Sequence, residues 1–277
     1  MPQEFLLLLL RPPRLRRPDS RQIVCDRRGL LAPPVFVLAG GGRVVCWTAE
    51  GRYGKEREGM ADGATTDRFE FERVLVGRGC GAVAGVDEVG RGPLAGPVVA
   101  AAVILPVSWI ADGMPEALRG LNDSKQLSAA VRERFYGLLM SLPEVRHAVA
   151  EVDVATIDAI NILQATHRAM KEALAALTPG PEHVLVDGLA VPTLRWPQTP
   201  LVKGDARSYS IAAASVLAKV TRDRQMAEYD RQFPGYGFGE HKGYGTAKHL
   251  AALARLGPTP IHRRSFAPLR RPDPELF

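Results

Sequence analysis

The chain has 277 residues, of which 46% are hydrophobic and 24% are charged, and this composition excludes fibrous and natively unfolded proteins. The longest uninterrupted apolar run, Phe5 to Leu10, is far shorter than the about 20 residues of a membrane-spanning helix, so we expect no membrane contact. The three cysteines form neither an even disulfide framework nor a Cys-x-x-Cys pair, which favours a reducing, cytoplasmic location.

The net charge of +6 is unevenly distributed along the chain. Basic residues clearly outnumber acidic ones in the first 59 residues, whereas the rest of the chain is nearly neutral. A polyanionic ligand would therefore bind through a local basic surface or through metal ions rather than through a global field.

Residues 1–72 are predicted to form a disordered extension and leader. Their Arg/Pro-rich stretches and the glycines at 40–42 interrupt short apolar segments that have neither helical nor strand periodicity. One interpretation is a basic arm that grips nucleic acid, and the other, which we favour, is a start assigned upstream of Met60.

From residue 73 onward the pattern predicts an α/β domain over 73–233, followed by a helical and loop region over 234–277. The expected strands, in chain order, are 83–87, 98–105, 147–152, 183–187 and 200–203. The expected helices are 127–142, 157–177, 208–233 and 246–256, and the third begins with small residues that allow close approach to a sheet.

Carboxylates follow the apolar strands at three places: Asp87 and Glu88, Asp187, and Asp205. Each alone would be an ordinary loop or helix-capping residue. Burying such acids at strand ends is costly unless a divalent cation neutralises them. Together, the four predict an all-oxygen site suited to Mg²⁺ or Mn²⁺.

Six short motifs occur in a fixed order between residues 84 and 266. They are GVDEVGRGPLAGP at 85–97, LNDSK at 121–125, VDG at 186–188, KGD at 203–205, AAASVLAKVTRD at 212–223 and HKGYGT at 241–246. This series closely resembles the ribonuclease HII family, the type 2 ribonucleases H. The resemblance implies a ribonuclease H-like fold, in which a mixed sheet is flanked by helices and a small helical C-terminal region completes the substrate site.

The resemblance also implies an activity and its ligands. The family's metal-binding and catalytic carboxylates correspond to Asp87, Glu88, Asp187 and Asp205, which would hold two Mg²⁺ or Mn²⁺ ions. The implied reaction cuts the RNA strand of RNA–DNA hybrids, and cuts at ribonucleotides embedded in duplex DNA, leaving 3′-hydroxyl and 5′-phosphate ends. Two-metal chemistry needs no Ser or His nucleophile, and the sequence shows no Ser/His/Asp pattern.

Substrate contacts are expected at several further motifs. The resemblance implies that Gly90, Arg91 and Gly92 sense a ribose 2′-hydroxyl and that Tyr244 packs on the next sugar, although a tight turn and a core aromatic are the plain structural alternatives. Phosphate contacts are predicted for the residues Asn122, Ser124, Lys125, Lys219 and Arg222, for which a helix cap (122–125) or a solvated helix face (Lys219 and Arg222) is the competing interpretation.

Three other interpretations remain open at this point. A ribonuclease HIII-like enzyme is disfavoured by Arg91 and by the absence of a folded-looking N-terminal domain. A catalytically silent hybrid-binding module would be favoured by a missing carboxylate, and none is missing. A small-substrate phosphomonoesterase fits the scattered basic residues less well than a polymer-cutting enzyme, which we expect to be a monomer. His241, His249 and His262 lack zinc-ligand spacing.

Overall fold

A computed structural model describes residues 36–39, 43–46 and 67–270 of the chain. The chain divides into two compact units, 1–62 and 63–277. In the first unit, strands β1 (Phe36–Ala39) and β2 (Arg43–Cys46) pair antiparallel, so these eight residues differ from the predicted disordered extension. Three of these eight residues are valines, which favour strands. Met60 and the other residues of that extension before residue 67 lie outside the described residues.

The second unit is built on a five-stranded mixed sheet with the strand order β5-β4-β3-β6-β7. The strands are β3 (Val83–Val89), β4 (Val98–Ile104), β5 (Arg146–Val152), β6 (His183–Asp187) and β7 (Gln198–Leu201). β3, β4 and β5 pair antiparallel, whereas β6 runs parallel to both β3 and β7. The predicted mixed sheet flanked by helices is confirmed.

Seven α-helices and two short 3₁₀ turns complete the part of this unit that the structure describes. The helices are α1 (Glu70–Val76), α2 (Val107–Asp112), α3 (Ala129–Ser141), α4 (Val154–Ala176), α5 (Tyr209–Gln232), α6 (Phe238–His241) and α7 (Ala247–Leu256), and the turns are Glu116–Leu118 and Gly204–Ala206. Four helices begin at a side chain that accepts a hydrogen bond from the third helical amide. These capping residues are Ser128, Asp153, Ser208 and Thr246. No helix within 67–270 has the length and apolar character needed to cross a membrane.

The two faces of the sheet carry separate hydrophobic cores. On β4, Val99, Ala101 and Val103 pack with the buried first half of α5, whereas Val98, Ala100 and Ala102 pack with α4. This alternation follows from the two-residue period of a strand. α5 reaches the sheet because Gly85 has no side chain: a Cβ there would overlap the main chain of Ser210.

The folded unit begins before the predicted boundary at residue 73. Phe69 is buried in the same core as α5, and the Glu72 carboxylate accepts hydrogen bonds from the Ser208 hydroxyl (2.6 Å) and the Ser210 amide (3.1 Å). The sequence did not indicate α1 because seven residues are too few to display a helical period.

Helix α4 contains a break that the sequence pattern did not indicate. Asn161 adopts a left-handed φ of 66°, and its Oδ1 accepts hydrogen bonds from the amides of Leu163 (3.0 Å) and Gln164 (3.1 Å). Asn161 therefore caps a second helical segment, as asparagine readily does.

Candidate active site

Three aspartates meet at the carboxyl edge of the central strands. Asp87 lies near the end of β3 and Asp187 ends β6, and because these strands are parallel neighbours, both side chains reach the same edge of the sheet. Asp205 lies in the 3₁₀ turn that follows β7. One carboxylate oxygen from each of the three lies within 4.8 Å of the others. Such a cluster of hard oxygen ligands fits a divalent cation.

The electrostatics of this cluster also fit a cation. Burial, followed by the charges of Glu88 and Asp187, raises the pKa of Asp87 well above its usual value. Burial, with Asp187 and Asp123 beside it, raises the pKa of Asp205 to about 6. These shifts arise because several carboxylates are held together where little water reaches them, and a divalent cation would favour their charged forms.

Main-chain amides fix the direction of two of these carboxylates. The Oδ1 atom of Asp87 accepts a hydrogen bond from the Glu88 amide, and the Oδ1 atom of Asp187 accepts one from the Gly204 amide, both at 2.7 Å. A Cβ at position 204 would lie 2.6 Å from Ile211 and 3.2 Å from the Asp187 carboxylate. A side chain at position 204 would therefore displace Ile211 and crowd the Asp187 carboxylate where the turn bearing Asp205 passes this strand end.

Glu88, the fourth predicted ligand, lies outside the group of three. Its Oε1 atom is 3.2 Å from Nη1 of Arg91, which is half exposed. Burial raises the pKa of Glu88, and the hydrogen bond and charge of Arg91 oppose that rise. The structure therefore links Glu88 to the Gly-Arg-Gly loop, and its role as a metal ligand stays a prediction.

The loop after β3 is held by a buried arginine that the sequence analysis did not single out. The guanidinium of Arg263, which is 0% exposed, donates hydrogen bonds to the carbonyls of Gly90, Arg91 and Gly96. Burial and the neighbouring charge of Arg222 lower the pKa of Arg263 to about 9, so it remains charged at neutral pH. A fixed positive charge thus orients the peptide groups of the loop.

Arg222, on helix α5, also stabilises this loop through hydrogen bonds. Its side chain is also 0% exposed, and it donates three hydrogen bonds of 3.0 Å to the carbonyls of Ala95, Pro97 and Lys242. This corrects both predictions for Arg222, because a buried guanidinium whose donors are used internally is neither a solvated charge nor a phosphate contact. A Cβ at Gly90, where φ is +97°, would overlap the Arg222 guanidinium.

Tyr244 lies beside the Gly-Arg-Gly loop. A Cβ built on Gly92 would be 3.5 Å from the Tyr244 ring, and the ring is 46% exposed. The Leu94 amide donates to the carbonyl of Gly243 (2.8 Å), which ties the two loops together. Tyr244 is therefore not a core aromatic, and its ring faces solvent next to the glycine loop.

The 122–125 segment packs against helix α5 near the carboxylates. The hydroxyls of Ser124 and Ser215 are 2.9 Å apart and buried, and a hydrogen bond from Ser215 partly offsets the rise in the Asp87 pKa. Ser124 is thus engaged inside the protein, which corrects its prediction as a phosphate contact.

Lys125 and Asn122 remain near the surface. Burial opposes the charge of Lys125, but Asp123, Asp205, Asp87 and Asp187 together raise its pKa, so this ammonium is electrostatically coupled to the aspartate cluster. The Asn122 side chain donates to Gln126 (3.2 Å).

Lys219 is not a free charge on the face of α5. Its Nζ atom lies 2.6 Å from a carboxylate oxygen of Asp223, one helical turn away. A phosphate contact by Lys219 therefore competes with an ion pair, and it stays a prediction.

Comparison with known proteins identifies the family. The ribonuclease HII family model matches residues 84–269. The chain belongs to the ribonuclease HII family. Ribonuclease HII of Geobacter metallireducens is 57% identical over 198 residues, covering 72% of this chain and 89% of that one, and that of Geobacillus thermodenitrificans is 53% identical over 216 residues, covering 78% and 80%.

Solved structures agree with this assignment. The ribonuclease H2 of Pyrococcus horikoshii OT3 superposes with a TM-score of 0.55 at 28% identity, covering 68% of this chain and 95% of that one. The ribonuclease HII of Archaeoglobus fulgidus, solved in a complex with PCNA, gives 0.54 at 26% identity, covering 71% and 100%. The predicted ribonuclease H fold and the type 2 ribonuclease H enzyme class are confirmed.

Proposed function

We propose that this chain hydrolyses the RNA strand of RNA–DNA hybrids and cuts on the 5′ side of ribonucleotides embedded in duplex DNA, leaving 3′-hydroxyl and 5′-phosphate ends. The observation that carries the proposal is the position of three clustered aspartates at one end of β3 and β6, with a glycine loop that follows β3 and an exposed tyrosine beside that loop. The first group suits phosphodiester hydrolysis, and the second suits recognition of a sugar.

The carboxylates Asp87, Glu88, Asp187 and Asp205 would hold two Mg²⁺ or Mn²⁺ ions. When bound, the ions would supply activation of a water molecule and stabilisation of the leaving oxygen. The chain's own contribution is to hold the carboxylates in place through the Glu88 and Gly204 amides. It also excludes bulk water, since Asp87 is only 6% exposed.

Recognition of the ribonucleotide is assigned to the Gly-Arg-Gly loop and Tyr244. Because Arg263 engages the carbonyls of Gly90 and Arg91, the loop is rigid, and its backbone can approach a 2′-hydroxyl without an intervening side chain. The Tyr244 ring, beside Gly92, would pack on the following deoxyribose and would be crowded by an added hydroxyl there.

Phosphate contacts are proposed for the side chains at the rim of the site. Lys125 and Asn122 are the accessible polar groups of the 122–125 segment, and Lys219 would contribute by exchanging its Asp223 partner for a phosphate. Residues 234–277 would complete the substrate site by supplying Tyr244 and Arg263 to the 73–233 domain. We also propose that the enzyme acts as a cytoplasmic monomer.

The test uses a DNA duplex containing one ribonucleotide, incubated with Mg²⁺, Mn²⁺ or EDTA, and maps the cut at nucleotide resolution. We expect a single cut 5′ to the ribonucleotide that requires a divalent cation and is lost in Asp87→Asn and Asp205→Asn. Asp112→Asn, at an exposed helix end, is the matched control and retains cleavage. Tight binding without cleavage by the wild type would instead identify a silent binding module.

A further inference from the structure

Three histidines of the C-terminal region form a stack behind Tyr244. The rings of His241 and His249 are nearly parallel, with centroids 4.4 Å apart, and those of His249 and His262 are 5.2 Å apart. His249 and His262 are 0% and 1% exposed. Such complete burial of two imidazoles requires that their ring nitrogens be hydrogen-bonded inside the protein.

The hydrogen bonds of this pair determine where the imidazole protons lie. The Thr259 amide can only donate, and it lies 2.9 Å from Nδ1 of His262, so that nitrogen is the acceptor. The proton of neutral His262 is then on Nε2, which is 3.0 Å from Nε2 of His249. His249 must accept there and carry its own proton on Nδ1, which donates to the Tyr244 carbonyl at 2.9 Å.

The chain of hydrogen bonds works only while both imidazoles are neutral. A second proton on His249 would place two N–H donors face to face, and a second proton on His262 would oppose the Thr259 amide. The surroundings disfavour such a charge. Both imidazoles are buried, His241 stacks on His249, and Arg264 is a nearby cation to His262. The rings of Tyr236 and Phe238 also pack against the pair.

The acceptor at the end of this chain belongs to the exposed tyrosine of the site. The Tyr244 carbonyl is held by His249 and by the Thr246 amide (2.8 Å). The main chain at His262 forms a bridge with Ala95, in the loop that carries the Gly-Arg-Gly motif. We call the series of hydrogen bonds from the Thr259 amide through His262 and His249 to the Tyr244 carbonyl the histidine relay. It connects the glycine loop, at Ala95, to the tyrosine.

We propose that His249 and His262 are positioning residues that set the orientation of the Tyr244 ring through this relay of fixed tautomers. The inference rests on the proposed function, because it assigns the relay to the recognition of the RNA-to-DNA junction. Neither imidazole touches the carboxylate cluster, so the relay acts through Tyr244 and not on the reacting atoms.

Two conservative replacements of His249 distinguish a positioning hydrogen bond from a role in packing alone. An asparagine amide can take the place of Nδ1 and donate to Tyr244, whereas a glutamine amide lies near Nε2 and leaves the carbonyl without its donor. For a duplex with one ribonucleotide, we expect His249→Gln to lower kcat/KM by about tenfold or more, and His249→Asn to recover most of that loss. His147→Asn, on β5, is the control histidine.

Repeating both replacements in a Tyr244→Ala background tests whether His249 acts through Tyr244. If His249 acts through Tyr244, the difference between Asn and Gln disappears there, because coupled residues are not additive. Equal effects of Asn and Gln, or an undiminished Gln effect in the Tyr244→Ala background, would overturn the proposal.

A measurement independent of activity distinguishes this proposal from the proposed function. ¹⁵N NMR of the wild-type protein at pH 7 should show a neutral His249 protonated on Nδ1 and a neutral His262 protonated on Nε2. The same tautomer for both, or a charged ring, would refute the relay. If the wild type cleaves no ribonucleotide-containing duplex, the proposed function fails, and with it the assigned role, whatever the tautomers are.

Discussion

Replacing Arg263 by methionine should destabilise the protein strongly, because it removes a buried cation that holds the glycine loop. The side chain makes four hydrogen bonds to three carbonyls. At about 1.5–3 kcal/mol for each bond to a charged group, the gross loss is about 6–12 kcal/mol. Bonds that share one guanidinium are not additive, so the net loss should be closer to the about 3–5 kcal/mol lost when one partner of a buried charged interaction is removed.

Thermal unfolding measures this loss directly. For a unit of this size, about 2–4 °C per kcal/mol gives a fall in Tm of roughly 10 °C. Arg264→Met is the matched control, because the adjacent arginine is exposed, and it should change Tm little. Cleavage at a single ribonucleotide should also decline in Arg263→Met, with KM rising. If Arg263→Met melts within about 1 °C of Arg264→Met, the loop does not depend on this arginine.

Three further predictions concern other parts of the molecule. A form starting at Met60 should keep Tm and cleavage rate, because it retains Phe69 and α1, which pack on the core; a loss confined to salt-sensitive binding would instead support a basic arm. Asp87→Asn should raise Tm in EDTA, since burial and Glu88 and Asp187 disfavour its charge, and should abolish Mg²⁺-dependent cleavage; unchanged Mg²⁺-dependent cleavage would exclude the metal assignment. Tyr244→Ala should slow cleavage at a single ribonucleotide more than cleavage of a uniform hybrid, with Tm unchanged; equal slowing with a lower Tm would indicate a packing role.

The carboxylate cluster could be predicted from the sequence because its information is local. Asp87 and Asp187 each follow an apolar run, and two strands that end in acids suggest a common edge. The parallel register, with Val86 opposite Val186, places the two aspartates side by side. The position of Asp205 could not be predicted from local sequence alone, because it depends on a 3₁₀ turn and on the missing side chain at Gly204.

The hydrogen bonds of Arg222 and Arg263 to the loop could not be predicted from the sequence, because their partners are far away along the chain. Arg222 bonds to a carbonyl 125 residues away and Arg263 to one 173 residues away. In a single sequence a buried arginine is indistinguishable from a surface one, and surface positions are far more common. Arg222 therefore looked like a charge on a helix face, and Arg263 looked no different from its exposed neighbour Arg264.

Acid should destabilise the protein through His262. Burial, followed by the neighbouring His249, lowers the pKa of this imidazole to about 4, against an ordinary value of 6.5. Between these values the unfolded chain binds a proton that the folded chain does not. Stability from this group is therefore fully present above pH 6.5 and is lost as the pH falls toward 4, by up to about 1.4 kcal/mol per pH unit.

A comparison with His262→Gln isolates this contribution, because the carboxylates titrate in the opposite sense. The raised pKa values of Asp87, Asp205 and Glu72 mean that acid relieves their burial in both proteins alike, so their effect cancels in the difference. From pH 7 to 4.5, the free energy of unfolding of the wild type should fall relative to the variant by roughly 2–3 kcal/mol. A difference that stays constant over this range would mean that His262 accepts a proton in the folded state as readily as in the unfolded chain, and the fixed tautomers could not then hold Tyr244.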